Sequence, residues 1–116
     1  MSLIYHLVTT TRWHQWPSDQ PYLPAEYAID GFVHCTAGDE LMIAVANRFY
    51  QHVPGDYLLL VIDTEYLTSL LKWEAPSPGD TLAARFPHIY GPINRDAVVA
   101  TKSILRGNDG RFLTIV

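Results

Sequence analysis

Tyr57-Leu58-Leu59-Leu60-Val61-Ile62 constrains this chain more than any other stretch. It is a continuous apolar run of strand length. Pro54-Gly55-Asp56 precedes it and Asp63-Thr64 follows. A run this short between turn signals reads as a strand buried on both faces. Such a strand needs a sheet partner on each edge and a layer against each face. The rest of the chain must therefore supply further strands and the layers that cover both faces. The length of 116 residues is enough for one domain spanning 1–116 that builds its own core.

The flanking segments fit that demand. Leu3 to Thr9 reads as a second buried strand, with Ile4, His6 and Val8 on one face and Leu3, Tyr5 and Leu7 on the other. Thr9-Thr10-Thr11 can cap a short helical turn that carries Arg12, Trp13, Gln15 and Trp16 and stops at Pro17. Residues 17–30 are a long, proline-marked connection with a turn near Pro24-Ala25-Glu26. Gly31 to Cys35 is a short strand with Phe32 and His34 on one face and Val33 and Cys35 on the other. Thr36 reads as the N-cap of a helix running to about His52, with Asp39 as capping-box partner. The expected inward stripe is Leu41, Ala44, Val45 and Phe49.

Asp63 or Thr64 is expected to open a short helix from Glu65 to Lys72, followed by a loop at Ala75-Pro76-Ser77-Pro78-Gly79-Asp80. The two prolines in Phe86-Pro87-His88-Ile89-Tyr90-Gly91-Pro92 argue against a central strand, leaving at most a short edge segment at Ile89-Tyr90. If extended, that segment points His88 and Tyr90 the same way. Ala97 to Leu105, the turn Gly107-Asn108-Asp109-Gly110 and Arg111 to Val116 form a terminal hairpin. The order of elements predicts an α+β fold rather than a regular α/β alternation.

Charge and composition exclude several classes. Residues are 48% hydrophobic and 17% charged, which is inconsistent with disorder. A net charge of −4 provides no general nucleic-acid footprint. No apolar run approaches the roughly 20 residues of a membrane span. Met-Ser-Leu-Ile-Tyr-His lacks a basic region followed by an apolar run, and Cys35 is the only cysteine. The expectation is a cytoplasmic protein without an intrachain disulfide.

The candidate chemistry lies in histidines. His34 stands at the end of a strand entering a helix, a position that commonly reaches ligands. His6 interrupts an apolar strand and must find a partner or lose basicity. His88 and Tyr90 sit between prolines that stiffen the backbone. Each has a structural reading beside the functional one: a satisfied core histidine, or packed loop aromatics. Cys35 faces away from His34 and reads as a packing residue. Asp30, Glu74 and Asp96 are the candidate carboxylate partners. A metal-dependent hydrolase built on His6, His34 and His88 is conceivable, although no standard ligand spacing is present.

Three blocks together resemble the small bacterial and plant proteins of domain-of-unknown-function family 952. They are Ile4-Tyr5-His6, Gly31-Phe32-Val33-His34-Cys35-Thr36 with Val45-Ala46-Asn47-Arg48-Phe49, and Phe86-Pro87-His88-Ile89-Tyr90-Gly91-Pro92. That family is similar in turn to the ADP-ribosyltransferase-like superfamily. The resemblance implies a split-sheet α+β fold of mixed or antiparallel strands with a few flanking helices, and a cleft that takes NAD or a related nucleotide. It implies His34 and His88 as catalytic residues. His6, Phe32, Tyr90, Arg48 and Arg12 would be cofactor-binding residues, with His6 on a ribose, an aromatic on nicotinamide and arginine on phosphate. Many transferases of that superfamily carry a glutamate in the third block, where this chain offers His88, Ile89 and Tyr90. Transfer or hydrolysis of ADP-ribose is one expectation. A non-catalytic nucleotide- or small-ligand-binding domain is the other.

Overall fold

A computed structural model describes residues 2–75 and 85–116. The apolar run forms β3 (Tyr57–Asp63), and it is central. β1 (Leu3–Thr9) pairs antiparallel with one edge and β6 (Val98–Arg106) with the other. β7 (Phe112–Ile115) completes the sheet in the order β1-β3-β6-β7. Alternation then divides the run between two cores. Leu60 and Ile62 join Ile4, Val8, Tyr22, Val33, Cys35 and Ile89 in one. Leu59 and Val61 join Tyr5, Met42, Ala46, Ile104 and Phe112 in the other.

The first core is closed by a second antiparallel sheet. It consists of β2 (Val33–His34), β4 (Leu70–Glu74) and β5 (Phe86–Tyr90), in the order β2-β5-β4. The second core is closed by a helix, α3 (Asp39–Tyr50). Two shorter helices, α1 (Thr10–Gln15) and α2 (Tyr27–Asp30), follow β1 and precede β2. The sheets meet at Tyr5 and Thr36, whose backbones exchange N–H to O bonds of 2.7 and 2.8 Å. The expected α+β class is observed, with two antiparallel sheets and few helices among the described residues.

Three expectations are corrected. No helix spans Glu65–Lys72. Asp63 caps a single 3-10 turn, Thr64–Tyr66, by accepting from the Glu65 N–H, and the chain then enters β4. Leu70, Lys72 and Glu74 alternate with Leu71 and Trp73, and pairing with β5 outweighs the helical propensity of these residues.

Phe86–Tyr90 is a central strand despite Pro87. The Pro87 carbonyl accepts from the Cys35 N–H, so that residue's polar edge faces the β2 side. The missing N–H falls just past the end of two-residue β2, where no ladder bond is needed.

Finally, Thr36 does not cap α3. Its backbone is committed to Tyr5, and the helix starts at Asp39 behind Gly38, which has φ 93° and no side-chain cap. The buried stripe is Met42 and Ala46, whereas Ala44 is exposed and Phe49 is 61% exposed. Two anchors set this phase. Tyr5 donates to the Asp39 carboxylate at 2.6 Å, and the Asn47 amide exchanges bonds of 3.0 and 2.7 Å with the Phe112 backbone.

The terminal hairpin turns as expected, with the Gly107 N–H bonded to the Arg111 carbonyl and the Gly110 N–H to the Gly107 carbonyl. Most of the loop expected at 75–80 lies outside the described residues.

Candidate active site

β2 is where the candidate residues gather. Its two residues pair directly with β5, setting His34 opposite His88 and Val33 opposite Ile89. Val33 and Ile89 point inward and are fully buried. His34 and His88 therefore point to the outer face of the small sheet. Gly31, at φ 80°, ends α2 in the left-handed conformation that glycine tolerates, and the chain turns there into the strand.

On that outer face the side chains form a connected cluster. Phe32 stacks on His88 with ring centres 4.1 Å apart, and lies 4.6 Å from the His34 ring and 5.6 Å from Tyr90. The two imidazoles meet edge-on with centres 5.6 Å apart. Each has its own carboxylate. Asp30 bonds His34 Nε2 at 2.9 Å, and Glu74 bonds His88 Nδ1 at 3.0 Å.

Glu74 also accepts from the Tyr90 hydroxyl. The Tyr90 bond first, and the His88 bond second, hold the Glu74 carboxyl below its usual range, and the same contact raises the Tyr90 phenol. An ionised carboxylate only accepts, so His88 carries its proton on Nδ1. Lys72, opposite His88 on β4, places its ammonium 5.1 Å from the centre of the Tyr90 ring. The Phe32 stack leaves His88 only 3% exposed, whereas the His34 side chain is 51% exposed.

His6 reaches the same strand from the other side. It is 2% exposed, and its Nδ1 lies 2.7 Å from the His34 carbonyl oxygen. A carbonyl cannot donate, so Nδ1 carries the hydrogen and Nε2 is left as an acceptor. Burial lowers the His6 pKa, outweighing the carbonyl bond and the charge of Glu26, which raise it. His6 is thus a neutral imidazole of fixed tautomer.

It lines a cleft of about 430 Å³ between β1, α2 and α3, shared with Glu26, Asp30, His34, Thr36, Phe49 and Tyr50. His34 joins the two features, because its ring borders both the cleft and the Phe32 cluster.

Five of the seven proposed residues are therefore brought to one region, but not to one ring of contacts. His6 and His34 line the cleft. Phe32, His88 and Tyr90 form the wall behind His34. The two arginines hold other partners. Arg12 donates to the Tyr22 hydroxyl at 3.1 Å and to the Leu23 carbonyl at 2.8 Å, pinning the 17–30 connection. Arg48 lies over Phe49 on the exposed side of α3.

Of the three carboxylates named in the sequence, Asp30 and Glu74 bind the histidines, and Asp96 bonds Asn94 at 2.6 Å. Glu26 lines the cleft without having been singled out. Its place in the Pro24-Ala25-Glu26 turn of the long 17–30 connection is the signal that could have found it. Burial raises the Cys35 thiol, in keeping with a packing role. Among the described residues, no group of three or more His, Cys, Asp or Glu side chains is arranged to hold a metal, and no helix is long and apolar enough to cross a membrane.

Comparison with known proteins adds family and fold. The family DUF952, described as a protein of unknown function, matches residues 7–101. The crystal structure of protein CC0527 from Caulobacter crescentus is similar at a TM-score of 0.78 and 30% identity, covering 97% of this chain and 94% of that one. A double mutant of the same protein gives 0.77 and 29% over the same shares. Its solution structure gives 0.71 and 31%, over 95% and 90%. No curated protein matches the chain.

Proposed function

We propose, for a chain that belongs to the DUF952 family of proteins of unknown function, that the cleft beside His34 binds NAD or a related nucleotide by its ribose. The observation that carries this reading is His6. A neutral imidazole, held by the His34 carbonyl and lining a cleft with two carboxylates, is an acceptor for a sugar hydroxyl. The split pair of antiparallel sheets also fits the ADP-ribosyltransferase-like fold that the sequence blocks resemble.

The chemistry that follows is hydrolysis of the nicotinamide–ribose bond. The C–N bond breaks and its electron pair leaves with the nicotinamide nitrogen. Asp30 stabilises the positive charge that develops at the ribose carbon. With Nε2–H bonded to Asp30, His34 has Nδ1 available to take a proton from the water that adds to that carbon. Phe32 and His88, with Glu74 and Tyr90 behind them, hold the His34 ring in place.

Calorimetric titration with NAD and with ADP-ribose tests binding, and assay of released nicotinamide in the wild type and in His34→Ala tests chemistry. The reading expects both ligands to bind, and turnover that the substitution abolishes. Turnover that survives His34→Ala removes His34 from catalysis. Binding without turnover supports the non-catalytic alternative. No binding at millimolar ligand rejects the nucleotide reading.

A further inference from the structure

The long connection before β2 is held unevenly. Its first half is pinned to the fold. Arg95 donates to the Pro17 and Gln20 carbonyls at 3.0 and 3.3 Å, Trp16 Nε1 to the Pro21 carbonyl at 3.0 Å, and Arg12 to the Leu23 carbonyl. The Tyr22 and Ile93 backbones exchange bonds of 2.8 and 2.9 Å, and both residues are fully buried. Pro24 is buried after them.

Past Pro24 these anchors stop. The backbone bonds of residues 25–31 are local: the Tyr27 N–H to Pro24, the Ile29 and Asp30 N–H groups to Glu26, and the Gly31 N–H to Tyr27. None of these residues is buried, and Ile29 is 88% exposed. Tyr27 alone among them packs against a core. Among the described residues, one side-chain bond ties the segment to the rest of the fold, Asp30 to His34 Nε2. Yet this segment supplies Glu26 and Asp30 to the cleft, four positions apart on one side of the helical turn, with His6 across from them on β1. A segment with local bonds, little buried surface and one tie opens well before the sheets unfold.

We propose that residues 25–31 form a hinged lid on the cleft, latched by the Asp30–His34 bond, and that opening it uncovers His6. The hinges are the fixed Pro24 and Gly31, whose φ of 80° turns the chain into β2. His34 is the stationary half of the latch, because its backbone pairs with His88 on β5. The lid goes beyond the nucleotide reading, since it gates the cleft whatever ligand enters.

Hydrogen exchange and histidine modification of the ligand-free protein test this together. The Ile29, Asp30 and Gly31 amides are expected to exchange by local opening, at a rate unaffected by low urea. The Tyr5, Tyr22 and Ile93 amides are expected to exchange only on unfolding. Asp30→Ala releases the latch and is expected to speed carbethoxylation of His6 by diethyl pyrocarbonate about two- to fivefold, the range of one exposed ion pair. His88 is equally buried but lies under Phe32 instead of the lid, so its rate should stay the same. His34→Ala removes the latch from the sheet side. It should speed exchange at Ile29 and Gly31 as much as Asp30→Ala does, and combining the two should add nothing. Unchanged exchange at Tyr5 and Tyr22 confirms that each variant is folded. Lid amides that exchange only on unfolding overturn the proposal. So does His6 reactivity that Asp30→Ala leaves unchanged, an equal rise at His88, or additive effects of the two substitutions. Because every measurement is made without ligand, failure of NAD to bind bears on the nucleotide reading alone.

Discussion

At the scale of single residues, His6 and His88 show how one amino acid is put to two uses by its partner. The His6 Nδ1–H is spent on a backbone carbonyl in a buried setting that disfavours charge. Its pKa is lower folded than unfolded, so the unfolded state takes up the proton first as pH falls. Stability contributed by neutral His6 is complete above the unfolded value of about 6.5 and is lost as pH falls towards the folded value. Urea unfolding between about pH 7 and pH 5 should show this loss, and His6→Gln should flatten it. An equally steep decline in the variant would assign the acid limb to another group.

The His88 Nδ1–H is spent on Glu74 instead. Long-range proton–nitrogen spectra should show the Nδ1–H tautomer in the wild type and a mixture of tautomers in Glu74→Ala. An unchanged single tautomer would mean that Glu74 does not set it. The sequence made these histidines visible because each interrupts an apolar or stiffened segment. It could not assign their partners, since Glu74 reaches His88 only through strand pairing and the His34 carbonyl reaches His6 only through the meeting of the two sheets.

Among the elements, legibility followed the distance over which order is decided. β1, β3 and the β6–β7 hairpin were readable because their apolar pattern and turn residues are local. β4 and β5 were misread because both become strands through non-local pairing, β4 with β5 and β5 with β2 on its other edge. The Pro87 rule failed for a specific reason: β2 ends before the ladder would require the N–H that Pro87 lacks.

The start of α3 was misplaced because Thr36, a good cap in isolation, is used by Tyr5. The end of α3 is fixed by Arg106, whose guanidinium donates to the Tyr50, Gln51, Gly55 and Gly110 carbonyls at 2.6 to 3.1 Å. It covers acceptors a helix leaves unpaired and places a cation at the negative end of the dipole. Gly110 sits beside this contact at φ 84°, and a Cβ there would collide with the Gln51 carbonyl. Gly110→Ala should therefore lose about 2 kcal/mol or more in chemical unfolding, combining backbone strain with the clash. A loss below about 0.5 kcal/mol, within the range of ordinary surface changes, would mean that the hairpin shifts freely against α3.

For the whole molecule, two sheets share one short junction, and the candidate site is built there. Tyr5 and Thr36 join the sheets, the His34 carbonyl orients His6, and the His34 ring is backed by the Phe32 cluster. The fold's two cores make this placement rigid, because β1 belongs to both through Ile4 and Tyr5. The three segments named in the sequence lie next to one another, His6 bonding the His34 carbonyl and the His34 ring lying beside Phe32 and His88 on the outer face of the small sheet. Arg12 fixes the 17–30 connection, and Arg48 lies over the Phe49 ring at the cleft. The Arg12 bonds depend on the path of the 17–30 connection, which no motif encodes.

The central claim, that the junction cleft is a nucleotide site, is tested most directly by chemical-shift mapping of the isotope-labelled protein titrated with NAD. The account predicts saturable shifts centred on His6, Asp30, His34, Thr36 and Phe49, with little change at the Arg106 end of the fold. An absence of shifts at millimolar NAD, or shifts centred away from the cleft, would contradict it.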